Sequence, residues 1–145
     1  MNENPETSPG LSNRSDRLTL IAISALAYIV AVALHEHAGH TLACLLLGSH
    51  PQEVGAFYVQ CDDAALGSLG VRIVALAGPI VSLLTGMVCF LFLRRRKNLP
   101  STSYYFTWLL GSIGYMSATG YLLFSGVSGI GDLGTARRSF PWRIA

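Results

Sequence analysis

Six consecutive residues, His35-Glu36-His37-Ala38-Gly39-His40, gather three of this chain's 4 histidines together with a glutamate. Neutral imidazoles and a carboxylate are usual ligands of zinc, and a catalytic zinc site uses three protein ligands and leaves a position for water. Zinc lowers the pKa of that water to about 7, and a nearby carboxylate then takes its proton. Glu36 is the only carboxylate within the apolar runs of the chain, which makes it the natural general base. An acidic residue near the centre of a bilayer costs roughly 2.5–3.5 kcal/mol, so it persists when it is paired, metal-bound or facing water. The plainer reading is a polar patch bonded to neighbouring helices, or a helix end open at the interface. Three histidines and a glutamate so close together favour a metal.

The spacing constrains the ligand set. The common zinc-protease helix reads His-Glu-x-x-His, with its ligands four apart on one face. Here His35 and His40 are five apart, about 140° around an ideal α-helix. A one-residue π-bulge near Gly39 brings positions five apart onto one face, and such bulges recur at functional sites. Alternatively His37 and His40, three apart, hold the metal and His35 supports them from behind. The first arrangement leaves Glu36 directly after a ligand, where the base normally sits. A third ligand must come from elsewhere. Asp132, in Gly129-Ile-Gly-Asp-Leu-Gly134, lies among glycines that let the backbone fold a carboxylate inward. Asp62 and Asp63 compete from a loop expected to be solvated.

The elements that must position these residues follow from composition. The 145 residues amount to one domain; 51% are hydrophobic and only 12% charged, about half the ordinary share. Lipid is the expected solvent. A net charge of +2 is too small to imply nucleic acid. Residues 1–17 read as a disordered polar tail. They do not read as a signal peptide, because the apolar run that follows is too long and lacks a cleavage site. Leu18–Gly48 forms a first helix of about 45 Å, longer than the roughly 30 Å hydrocarbon core, so it tilts or projects. Ile73–Leu93 is a second span, stopped by Arg94-Arg95-Arg96-Lys97, and Tyr104–Gly126 is a third, with aromatics at its start. Between the first two, Ala56–Cys61 is a short strand.

The expected fold is therefore an all-α integral membrane protein, in the cell membrane, with three transmembrane helices and a short loop or strand segment after the first. The core covers residues 18–135 and a basic tail 136–145. Arg14, Arg17 and the 94–97 cluster place the N-terminus inside, although Arg137, Arg138 and Arg143 then fall outside. Cys44, Cys61 and Cys89 are odd in number and lack CxxC spacing, so they read as packing residues. Gly78, Ser82 and Gly86 form a stripe for close helix approach.

With these pieces in place, the chain resembles the site-2 protease family of intramembrane zinc metalloproteases. Three features carry the resemblance: His35-Glu36…Gly39-His40 followed by Thr-Leu-Ala; Leu76-Ala-Gly-Pro79-Ile-Val-Ser82, similar to the family's Gly-Pro-x-x-Asn; and Asp132 in a glycine-rich turn after the third span. The resemblance implies a three-helix catalytic core that hydrolyses transmembrane segments of other proteins, with His35, His40 and Asp132 as zinc ligands and Glu36 as base. The extra residue between the histidines, Ser82 in place of Asn, and the early end of the chain describe a divergent, shortened member. The competing expectation is a non-catalytic, degenerate scaffold that binds partner helices. Haem binding, a third possibility, gives Glu36 no role.

Overall fold

The structure is a computed structural model and describes residues 9–96 and 98–128. Helix α1 (Pro9–Ala33), a π-helical segment (Leu34–Thr41) and α2 (Leu42–Leu46) form one continuous run. The run begins at Pro9, well before Leu18, so residues 9–17 of the expected disordered tail are helical. Proline suits a helix's first turn, where its missing N–H has no partner to lose. Residues 1–8 lie outside the described residues.

The run ends on glycine chemistry. Gly48 has φ 80, and Gly48 N–H donates to Leu45 O while Ser49 N–H donates to Cys44 O. This is the paired closure that satisfies the last helical carbonyls, and it favours a residue without Cβ at the left-handed position. The chain then makes a two-stranded antiparallel hairpin, β1 (Pro51–Val54) and β2 (Val59–Cys61), with Val54 opposite Val59 and Glu53 opposite Gln60. The expected strand over 56–61 is shortened at its start, because Gly55 N–H donates to Tyr58 O and closes the turn there.

The hairpin overturns the reading of the cysteines as packing residues. Cys44, at the end of the first helical run, and Cys61, on β2, form a disulfide across a sequence separation of 17. The returning strand lays Cys61 against the helix end, a proximity that neither cysteine parity nor local spacing reports. Cys89 remains a free, buried thiol.

Helix α3 (Asp63–Arg95) starts ten residues earlier than Ile73, with Asp62 capping it by accepting from Ala64 N–H at 3.2 Å. The expected loop therefore already contains the first turn of α3, bent at Gly67, where φ is 62. Asp62 and Asp63 sit at this helix start and not in an irregular loop, with Asp63 exposed and Asp62 half-buried. Helix α4 (Ser101–Ser128) contains the expected third span.

Each of the three long helical runs packs against the other two. Small residues line the seams: Ala27, Ala31, Cys89 and Leu110 form the buried centre. A Cβ on Gly114 would stand 2.7 Å from Ser82 O, and one on Gly86 would stand 3.1 Å from Gly111 O. Backbones this close require glycine. Large apolar side chains point outward instead, among them Leu18, Ile21, Ile29, Val88, Met116 and Leu123. Two runs, Asp16–Leu46 and Asp63–Arg95, are long and apolar enough to cross a membrane.

Candidate metal centre

The π-helical segment solves the spacing problem. Leu42 N–H reaches His37 O, five residues back, which is the π pattern, and Thr41 Oγ1 donates to Glu36 O at 3.3 Å. Positions five apart thereby stack, and His35, Glu36 and His40 are all buried while His37 is exposed. Of the two arrangements the spacing allowed, the structure brings together His35 and His40. Their Nε2 atoms lie 3.3 Å apart with the rings edge to face at 77°.

The other nitrogen of each ring is held from α3. His40 Nδ1 lies 2.7 Å from Val74 O. A carbonyl only accepts, so this nitrogen carries the proton and Nε2 of the neutral ring is a lone pair. His35 Nδ1 lies 2.8 Å from Ser82 Oγ, which both gives and accepts protons. When Nδ1 donates to Ser82, His35 Nε2 is a lone pair too, and two lone pairs then converge on one point.

That convergence is what a tetrahedral cation requires. Zinc–nitrogen distances of about 2.0–2.1 Å at the tetrahedral angle separate two ligand nitrogens by about 3.3–3.4 Å. The observed separation matches. A backbone carbonyl or hydroxyl behind each metal-binding imidazole is the usual device that fixes ring orientation and tautomer. Glu36 completes the group: one ligand atom from each of His35, Glu36 and His40 can be chosen so that all lie within 4.8 Å of one another. Glu36 is thus near enough to act on a water held beside the two imidazoles.

Two glycines make room for the centre. A Cβ on Gly78 would stand 2.4 Å from His40 Nε2 and 2.7 Å from His35 Nε2, and one on Gly39 would stand 2.6 Å from Gly78 Cα. Helix α3 thus approaches the π segment backbone to backbone, with the imidazoles filling the space a side chain at position 78 would occupy. From α4, the Tyr121 ring stacks on His35 with centroids 4.9 Å apart. A cavity of about 500 Å³ opens in front of the histidines and Glu36, walled by Phe57–Cys61 of the hairpin, Asp63, Val74 and Tyr121.

Asp132, expected as the third ligand, lies outside the described residues. The sequence places Gly78 and Ser82 in a packing stripe and in the motif similar to Gly-Pro-x-x-Asn, and it gives Val74, Tyr121 and strand β1 no role at the site. The available signal for Ser82 was its place in Gly78-Pro79-Ile-Val-Ser82, where the resembling family carries a polar residue. No protein-family description, curated protein or solved structure matches the chain.

Proposed function

We propose that the chain is an integral membrane protein of the cell membrane and a zinc metalloprotease of the site-2 type, hydrolysing peptide bonds of membrane-embedded substrates. The observation that carries this reading is the pair of Nε2 atoms at 3.3 Å, each imidazole backed by a partner on α3, with Glu36 beside them. Membrane insertion of all three long helices is supported by their inverted packing. Alanine, glycine, serine and cysteine make up most of the interior, with Leu110 and Val74, and many large leucine, isoleucine and methionine side chains lie outside. In water that exterior would be a large exposed apolar surface; in lipid it is solvated.

In this reading His35, His40 and Asp132 would hold the ion, which would supply Lewis acidity and lower the pKa of a water to about 7. The chain's own groups do the rest. Val74 O holds His40 in the tautomer protonated at Nδ1, and Ser82 holds the His35 ring in place, so that with Nδ1 of His35 donating to Ser82 both Nε2 atoms could ligate. Glu36 takes a proton from the attacking water and returns it to the departing amine. The hairpin and Tyr121 confine the peptide before the histidines. The test is hydrolysis of an apolar helical peptide by the purified full chain in detergent. Glu36→Gln should keep the metal and lose about 10²–10⁴ in rate, the usual worth of a general base. Metal binding without hydrolysis in the native chain would favour the non-catalytic scaffold that binds partner helices.

A further inference from the structure

The disulfide and the basic cluster Arg94–Arg96 mark opposite ends of α3. Cys44–Cys61 closes the end where the first helical run stops and α3 begins. The hairpin connection at this end, residues 49–62, has no lysine or arginine and carries Glu53 and Asp62. At the other end of α3, Arg94, Arg95 and Arg96 are exposed just before the short connection to α4. Arg17, at the far end of the first run, is exposed as well. Disulfides persist in oxidising compartments, and short basic connections stay in the cytoplasm. These two rules are independent, and they choose the same orientation.

The centre is close to the disulfide end. His40 precedes Leu46, the end of the helical run, by six residues, or about 9 Å of helix. Its cavity opens between hairpin residues, including Cys61 itself.

We infer that the metal centre faces the oxidising, non-cytoplasmic side of the membrane and takes its cation, its water and its peptide from that side. The Arg17 end of the first run and the Arg94–Arg96 cluster are cytoplasmic. The substrate bond presented to Glu36 then lies in the non-cytoplasmic half of a membrane-embedded segment. The hairpin, tethered by Cys44–Cys61, forms the wall this segment passes. This orientation rests on the membrane reading above, and the choice of peptide as cargo rests on the protease reading.

The experiment is labelling of intact cells. The full chain is expressed in a bacterial host with an oxidising periplasm, and two single-cysteine reporters are made in a Cys44→Ser, Cys61→Ser, Cys89→Ser background: Gln52→Cys on the hairpin and Asn98→Cys in the α3–α4 connection. A membrane-impermeant maleimide should label Gln52→Cys in intact cells and Asn98→Cys only after lysis. In parallel, the native chain is quenched in acid and alkylated, which does not depend on the triple substitution folding. Cys44 and Cys61 should resist alkylation until reduced. The reverse labelling pattern, or free thiols at Cys44 and Cys61 in the quenched native chain, would overturn the inference. Neither readout involves metal or hydrolysis, so the orientation and the catalytic reading can fail separately.

Discussion

His35 and His40 meet through their Nε2 atoms at 3.3 Å although five residues separate them, and Gly78 of the facing helix lies against both. The contact depends on three local facts together. The π segment aligns the rings, Gly39 admits α3, and Gly78 has no side chain to occupy the rings' place. A regular α-helix over the same residues would splay the imidazoles by about 140°.

Gly78→Ala is therefore predicted to remove metal binding without greatly disturbing the helices. The added methyl would stand 2.4 Å from His40 Nε2 and displace the ring. Zinc affinity, measured by chelator competition, should fall by at least about 100-fold, beyond the upper range for losing a supporting contact. Gly120→Ala, where nothing lies within 4 Å, is the control and should retain native affinity.

Ser82→Ala tests the support behind His35. Its hydroxyl is 2.8 Å from Nδ1, and removing it frees the ring to adopt the wrong tautomer. Zinc affinity should drop by about 10–100-fold. Unchanged affinity would mean that Ser82 only fills the helix seam.

Tyr121 acts on the same ring from α4. Loss of an aromatic pair costs about 0.5–1.5 kcal/mol beyond lost area, so Tyr121→Ala should weaken zinc binding by about 2–10-fold. Tyr121→Phe keeps the stacked face and should bind zinc as the native chain does. Equal weakening in both variants would shift the role from the ring to the hydroxyl.

Cys61→Ser removes the tether of the hairpin. A loop of this length is worth about 3 kcal/mol in cross-link stabilisation. Hydrogen exchange should show β1 and β2 losing protection while α3 around Val74 to Cys89 keeps it. Protection of the hairpin equal to the native chain would show that hydrogen bonds such as Ser49 Oγ–H to Asp62 O and Asp62 N–H to His50 O hold it without the disulfide.

What the sequence made legible was local chemistry. The five-residue interval between His35 and His40, set against the need for ligands on one face, called for a π-bulge, and Leu34–Thr41 is π-helical. The second helix's stop at Arg94–Lys97 and the helix over 104–126 were equally local. The parts that stayed hidden depend on how separate elements rotate and return. Ser82 reads as a packing residue until α3 is turned toward the first helix. Tyr121 is one of several aromatics on α4 until its face is known. Cys44 and Cys61 are partners only because a hairpin, half of it unmarked by strand-forming residues, folds back on the helix end. Asp63 reads as loop because the N-cap signal of Asp62 is followed closely by Gly67 and Gly70, which break the apolar pattern before the long run begins.

In the proposed centre His35 and His40 are ligands of one zinc ion, with Asp132 as the third. Elemental analysis of the purified full chain in detergent tests it most directly, comparing the native sequence with His40→Ala, Asp132→Ala and His37→Ala after loading with zinc. The predicted result is about one zinc per chain in the native protein and in His37→Ala, and none above background in the other two. No zinc in the native chain, or as much in His40→Ala as in the native chain, would contradict it.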